Sequence, residues 1–277
     1  MKVVLFCGGY GMRMRDGASD LPKPMTTVGP RPLIWHVMRY YAYFGHTDFV
    51  LCLGYGAQHI KDYFLNYAET ASNDFILSRG KLELLSSDIQ NWTITFAHTG
   101  LDSPIGERLR RVRHLVDGEE MFLANYADVL TDLPLNDMID AFKASDAVGS
   151  LVAVPPQSAF HCVDVGDDDR ISAIRTLQQL PIYENGGYFV LRPEIFDYIP
   201  ENGDLIGDAC MPLAEQGRML AYRHSGFWHP ADTVKERTAL EAAYRSGRSP
   251  WMLWESAPQR DPLQAAIAGL GSAELER

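Results

Sequence analysis

The chain has 277 residues and a formal net charge of −11. That charge argues against nucleic acid as a partner, since a phosphate backbone demands a basic surface, whereas a free nucleotide needs only a local positive pocket. No apolar run approaches the ~20 residues that span a bilayer, and four scattered cysteines lack metal-type spacing. An apolar share of 46% with 22% charged residues is ordinary for a soluble globular protein, and the length suits one large α/β domain or two small ones. The opening reads as a strand and lacks a basic-then-apolar leader pattern. Cys7 and Cys52 sit in apolar runs that suit buried thiols. A cytoplasmic setting is expected, with no membrane and no nucleic acid.

Residues 3–7 read as a buried strand, and Gly8, Gly9 and Gly11 follow at once. Glycines at this density let the backbone take φ > 0 and form a nest of N–H groups suited to an anion. Arg13 and Arg15 add guanidinium forks for phosphate. Lys23, between Pro22 and Pro24, is expected on extended backbone with a fixed exit direction. The loop satisfies neither common nucleotide pattern: counted from Gly9, the third Rossmann glycine falls on Met14, and no Gly-Lys-Ser/Thr follows.

Further on, helices are expected over residues 33–44, 59–67, 106–116 and 135–145, and strands over 48–53, 92–98, 121–125 and 148–154. Strands separated by helix-length segments make βαβ units. The fold class is therefore α/β: a Rossmann-like, mostly parallel sheet flanked by helices. Its strand ends, carrying Gly8–Gly11, Gly54–Gly56 and Tyr126-Ala127-Asp128, should line one mouth. After Pro155-Pro156 the pattern changes to short strands at 161–165, 171–174 and 187–191, a small added β section spanning about 156–192. Helices at 211–217 and 234–246 and a strand at 219–224 complete one domain over 1–255, with a tail at 256–277.

Two carboxylates stand out. Asp128 closes the strand at 121–125, and Asp232 lies in Phe227-Trp228-His229-Pro230-Ala231-Asp232-Thr233 just ahead of a helix. Each reads as a metal ligand or as a helix N-cap. Asp132 reads as a cap, and Arg110, Arg111 and Arg113 as a solvated helix face.

Gly8-Gly9-Tyr10-Gly11-Met12-Arg13 followed by Leu21-Pro22-Lys23-Pro24-Met25 resembles the signature of the sugar-phosphate nucleotidyltransferases. The resemblance continues through Pro32-Leu33-Ile34-Trp35-His36, Asn91-Trp92-Thr93, Arg108-Leu109-Arg110-Arg111, Tyr126-Ala127-Asp128, Asn185-Gly186-Gly187 and Trp251-Met252-Leu253-Trp254-Glu255. Within the family the chain is most similar to the cytidylyltransferases of glucose 1-phosphate. That implies a Mg²⁺-dependent enzyme coupling CTP with a sugar 1-phosphate, most simply glucose 1-phosphate, to give a CDP-sugar and pyrophosphate. Such chemistry needs aligned anions and screened charge rather than a covalent nucleophile. The resemblance implies catalytic roles for Arg13, Lys23, Asp128 and Asp232, with Asp128 and Asp232 holding Mg²⁺. It implies nucleotide contacts from Cys7, Gly8, Gly9, Gly11, Met12, Arg13, Lys23, Thr99 and Arg108, and sugar-phosphate contacts from Asn185, Gly186, Gly187 and Tyr188, with core packing an equal alternative for Tyr188. It also implies a homo-oligomer, with residues 251–255 as a docking segment.

Two positions depart from the family. Met12 stands where a threonine hydroxyl would meet phosphate. The family's Glu-Lys-Pro is missing before Asn185, which leaves Arg175 as the replacement fork for the sugar phosphate. The same chemistry with another nucleotide or another phosphorylated acceptor is one alternative, and a non-catalytic nucleotide-binding module is a second.

Overall fold

The computed structural model describes residues 1–9, 21–157 and 160–256. Gly11, Met12 and Arg13, and the tail from residue 257 on, lie outside the described residues.

The chain opens with β1 (Lys2–Phe6), and a short pair, β2 (Thr27–Val28) and β3 (Arg31–Pro32), leads into α1 (Leu33–Tyr43). Next come β4 (Asp48–Leu53), α2 (Ala57–Leu65), a hairpin of β5 (Phe75–Ser78) and β6 (Lys81–Leu84), and β7 (Thr93–His98). Two short helices, α3 (Ile105–Arg111) and α4 (Arg113–Val116), precede β8 (Phe122–Asn125), β9 (Val129–Thr131), α5 (Leu135–Lys143) and β10 (Gly149–Val154). A second hairpin, β11 (His161–Val165) and β12 (Ile171–Thr176), precedes β13 (Glu184–Leu191). The last part holds α6 (Met211–Glu215), β14 (Met219–Arg223), β15 (Trp228–Pro230), α7 (Val234–Arg245) and α8 (Leu253–Ser256).

Seven strands form the central sheet in the order β14-β10-β13-β8-β1-β4-β7. β1 runs parallel to β4 and β8, and β4 to β7. β13 runs antiparallel to both β8 and β10, while β10 and β14 are parallel. Only β13 is therefore reversed, and the expected mostly parallel sheet is present.

β1 shows why this sequence sits at the centre. Its residues are apolar on both sides of the pleat. Val3 and Leu5 pack into one core cluster with Leu33, Val37, Met138 and Phe142. Val4 and Phe6 pack into the other with Leu109, Val112 and Ile195. Alternation sends successive side chains to opposite faces, and a strand covered on both faces must be apolar throughout. Full burial of each such side chain stabilises the fold by roughly 1.5–3 kcal/mol. α1 stops where expected, with Gly45 at φ +86° and its N–H on Ala42 O.

Three readings change. The section expected at 156–192 divides: β11 and β12 form a sheet of their own, whereas β13 enters the central sheet as its reversed strand. Pairing with β8 and β10 buries β13 from Gly186 to Leu191, which local pattern alone does not reveal. The helix expected over 106–116 breaks at Val112, whose φ and ψ are −101° and 7°. A π-helical turn, Leu205–Cys210, packs beside α3 and was not legible in sequence. Among the described residues no helix is long and apolar enough to cross a membrane.

Candidate active site

The site lies beyond the carboxyl ends of the parallel strands. β1 runs into Gly8 and Gly9, β4 into Gly54, and β7 into Thr99 and Gly100. Beneath these ends runs Arg108, which projects from α3 and is 4% exposed. Its Nη1 donates to Gly100 O at 2.8 Å and Thr99 Oγ1 at 3.0 Å, and its Nη2 to Leu101 O at 3.0 Å and Gly8 O at 3.1 Å. Thr99 Oγ1 in turn donates to Leu53 O. One guanidinium thus ties three strand ends into a single floor. A Cβ on Gly8 would collide with that guanidinium. Among the described loop glycines, neither Gly8 nor Gly9 has a left-handed φ. Close approach explains Gly8, where the sequence had suggested a positive φ.

Lys23 opens a 3-10 turn, Lys23–Met25, closed by Met25 N on Pro22 O at 2.8 Å. The extended residue is Pro22, with φ −66° and ψ 147°, and the expectation of extended backbone at Lys23 is corrected accordingly. Pro22 is seated against Gly56, where a Cβ would meet Pro22 Cγ at 2.6 Å. The turn aims Lys23 Nζ at two carboxylates. It donates to Asp128 Oδ2 at 2.7 Å and also to Asp232 Oδ1. Asp128 and Asp232 thus share one ammonium.

Backbone pairing brings the two aspartates together. β9 and β15 are antiparallel, with Val129 opposite Pro230, and Ala231 N donates to Asp128 O at 3.0 Å. Ala127, at φ +63°, makes the left-handed bend ahead of Asp128. Neither aspartate caps a helix. Thr233 caps α7, its Oγ1 accepting from Glu236 N while Glu236 Oε2 accepts from Thr233 N and Asp232 N. Burial pushes the Asp128 carboxyl above its ordinary range, against the pull of Lys23. Burial also raises the Cys7 thiol well above its ordinary value, so Cys7 is a neutral wall residue.

Two cavities meet at these carboxylates. The larger, about 850 Å³, runs from Leu101–Pro104 past Gly8 and Gly9 to Lys23, Asp128 and Asp232. The smaller, about 440 Å³, is walled by Gln157, Glu184, Asn185, Gly186, Gly187, Trp228 and Glu236, and shares Tyr126, Asp128 and Asp232 with the first. Asn185 Oδ1 accepts from Gly187 N at 2.9 Å and its Nδ2 donates to Tyr126 OH at 3.1 Å. Gly187 is at φ +76°, and a Cβ there would strike the Tyr126 ring at 2.7 Å. Tyr126 therefore stands as the partition between the two spaces.

Residues 2–243 match the family model described as nucleotidyl transferase. The chain belongs to the nucleotidyl transferase family. It is 35% identical over 261 residues to the glucose-1-phosphate cytidylyltransferase of Salmonella typhimurium, covering 92% of this chain and all of the relative. It is 34% identical over the same span to the probable glucose-1-phosphate cytidylyltransferase of Bacillus subtilis, again 92% of this chain and all of the relative. Among solved structures, a putative glucose-1-phosphate thymidylyltransferase from Bacillus anthracis superposes with a TM-score of 0.65 at 18% identity, over 88% of this chain and 95% of that one. That likeness concerns the nucleotidyl transferase fold.

Several residues singled out in sequence lie elsewhere in this nucleotidyl transferase. Tyr188, placed at the sugar phosphate by resemblance, is 1% exposed, packs on Tyr40 and Tyr41, and donates its hydroxyl to Val129 O at 2.8 Å. It is a core residue behind the site. Arg175 sits on the β11–β12 hairpin, ion-paired to Asp164 and away from both cavity walls. Thr99 is fully buried under the floor. Arg108 joins the wall of the larger cavity with its donors spent on backbone carbonyls. Asp132 does not cap α5; its Oδ1 lies 2.9 Å from His224 Nε2. Arg110 and Arg111 lie on the solvated helix face expected of them, and both donate to Glu107, holding its carboxyl down at about 2. Trp251, expected in a docking segment, is 1% exposed and donates to His36 Nδ1 within its own chain. Sequence reading missed Gln157, Glu184, Glu236 and the Leu101–Ile105 wall. No local signal separates these residues from an ordinary loop.

Proposed function

We propose that this nucleotidyl transferase couples CTP with a sugar 1-phosphate, glucose 1-phosphate in the simplest case, giving a CDP-sugar and pyrophosphate. The observation that carries the reading is the meeting of two cavities of unequal size at Asp128, Asp232 and Lys23. A triphosphate in the larger cavity and a sugar phosphate in the smaller would bring their reacting ends to that junction. The choice of CTP and glucose 1-phosphate rests on the relatives that bear those names. A reaction drawing on CTP belongs in the cytoplasm.

In the transfer, an oxygen of the sugar phosphate forms a bond to the α-phosphorus as the bond to the β-phosphate oxygen breaks. The electron pair leaves with pyrophosphate. The N–H groups of Gly8 and Gly9, fixed by Arg108 below, would face the triphosphate. Asn185, Gly186 and Gly187 would seat the sugar, with Tyr126 keeping the two substrates on separate sides. The Lys23 ammonium supplies positive charge where negative charge concentrates in the transition state.

Asp128 and Asp232 would hold Mg²⁺. Two hard carboxylates that already share one ammonium suit an ion completed by substrate phosphates and water. When bound, Mg²⁺ would screen the phosphate charges and polarise the reacting phosphoryl group. Among the described residues lining the smaller cavity none is lysine or arginine, so the acceptor's charge is met at the junction.

The test is pyrophosphate release with CTP, UTP, dTTP and GTP against a panel of sugar 1-phosphates. The highest kcat/KM is expected with CTP and glucose 1-phosphate, and it should vanish when EDTA removes Mg²⁺. A faster pair would reassign the substrates. No release with any pair by folded protein would remove the enzymatic reading.

A further inference from the structure

α7 begins where the Asp232 segment ends, and one carboxylate on it serves both. Glu236 is the third residue of the helix and closes the box that caps it, with Thr233 Oγ1 accepting from Glu236 N at 3.2 Å. Such a box needs one return bond, here from Thr233 N to Glu236 Oε2 at 2.9 Å. The same oxygen also accepts from Asp232 N at 2.8 Å, one residue outside the cap. Asp232 is thereby pinned at its own backbone as well as through its ion pair with Lys23.

Both of these bonds fall on Oε2. Among the described residues Glu236 Oε1 has no hydrogen-bond partner, and Glu236 is half-buried in the wall of the smaller cavity. Most other polar groups of that wall are committed. Asn185 spends both ends of its amide on Gly187 N and Tyr126 OH, and Trp228 Nε1 donates to Gly186 O at 2.8 Å. Asp128 and Asp232 face Lys23. Glu184 lies at the exposed start of β13. Glu236 Oε1 is an acceptor left over, and it is attached to the junction through Asp232. A sugar ring is rimmed by hydroxyl donors, and a carboxylate oxygen is among the strongest acceptors a protein offers them.

We propose that Glu236 is a specificity-determining residue for the acceptor: its Oε1 takes a ring hydroxyl of the sugar 1-phosphate while its Oε2 holds Asp232 in place. The assignment rests on the sugar phosphate occupying the smaller cavity, as proposed above. One side chain then links the sugar to a carboxylate at the reacting end, and a phosphate ester lacking that hydroxyl is discriminated against.

The test measures pyrophosphate release by the full chain with CTP and the best sugar 1-phosphate of the panel, then with each monodeoxy form of that sugar. Glu236→Gln keeps a carbonyl oxygen for the two backbone N–H groups and puts a donating amide where the second oxygen was. Its melting temperature should stay near wild type and its kcat within about threefold, while KM for the sugar phosphate rises at least about tenfold and KM for CTP holds. Wild type should lose a similar factor with one deoxy sugar, and Glu236→Gln should lose little more with that sugar, because the interaction is already gone. Glu236→Ala also frees Asp232, so kcat should fall at least about tenfold besides the rise in KM. Glu241→Ala is the control for helix packing alone. Glu241 Oε2 accepts from Gly29 N at 2.8 Å and walls neither cavity, so this variant should lower the melting temperature and leave KM for the sugar phosphate unchanged. An unchanged sugar KM in Glu236→Gln, an equal rise in both KM values, the same rise in Glu241→Ala, or additive losses with every deoxy sugar would overturn the assignment of Glu236 and leave the function standing. No release by folded wild type with any pair would overturn the function, and the assignment with it.

Discussion

On the side of the larger cavity, a buried arginine runs beneath three strand ends and donates to Gly8 O, Gly100 O and Leu101 O. On the side of the smaller cavity, the wall carries Glu184, Asn185 and Glu236, and no lysine or arginine among the described residues. The first side is stiffened by a cation that never needs to touch a ligand to matter. The second is shaped by one reversed strand and a left-handed Gly187, with its charge handled at the shared junction. The contrast is one of support: a buried guanidinium braces the strand ends beside the larger cavity, and the Lys23 ammonium sits where the two cavities meet.

The largest effect should come from breaking the junction that both sides share. Asp128→Asn should lower kcat by about 10²–10³, several kcal/mol of transition-state stabilisation. The melting temperature of the metal-free protein should move little, because burial already disfavours the Asp128 charge. Steady-state kinetics and calorimetry together check this, and a binding module would keep its nucleotide affinity.

Arg108→Lys should separate the sides. A single ammonium cannot satisfy four acceptors in the geometry of a guanidinium, and the orphaned carbonyls should cost about 2–4 kcal/mol of stability. KM for the triphosphate should rise about tenfold or more while KM for the sugar phosphate holds. Equal rises in both would show that the floor serves the two cavities alike.

Asn185→Ala is the converse. Losing its bonds to Gly187 N and Tyr126 OH, about 1–1.5 kcal/mol, should raise KM for the sugar phosphate up to about tenfold and leave the triphosphate unaffected.

Glu107 tests the support behind the floor through pH. Its carboxyl is held at about 2 by Arg111 and Arg110, against an ordinary 4.5. A depressed carboxylate stabilises the fold above its unfolded pKa, and that contribution is lost as pH falls from about 4.5 toward 2. Glu107→Gln should flatten this acid limb in denaturant melts taken across that range.

The smallest effect is expected at Arg175. Its partner is Asp164 on an exposed hairpin, so Arg175→Ala should change kcat/KM by less than about twofold. A loss of tenfold in KM for the sugar phosphate would return Arg175 to the role that sequence resemblance suggested.

Local pattern made the parallel strands legible. The run at 3–7 and the strand at 48–53 are apolar because both faces of the sheet are covered, and that requirement is written directly in composition. The strand at 187–191 was legible, but its reversed place in the central sheet was not, because that depends on neighbours contributed by β8 and β10. The site shows the same division. Lys23, Asp128 and Asp232 were recognisable as charged residues at strand ends and turns, where a side chain has no packing reason to be. Arg108 offered only its charge: its place under Gly8, a hundred residues earlier in the chain, needed the sheet to form. The true reason for Gly8 followed from that same contact.

The sequence by itself determined the sheet class, because burial periodicity acts over a few residues, while family resemblance singled out Lys23, Asp128 and Asp232. Tertiary structure alone decided that Lys23 bridges two aspartates, that Tyr126 divides the cavities, and that Tyr188 and Arg175 stand away from the chemistry. Strand register across the sheet sets those meetings, and register is a property of pairs of segments rather than of any one of them.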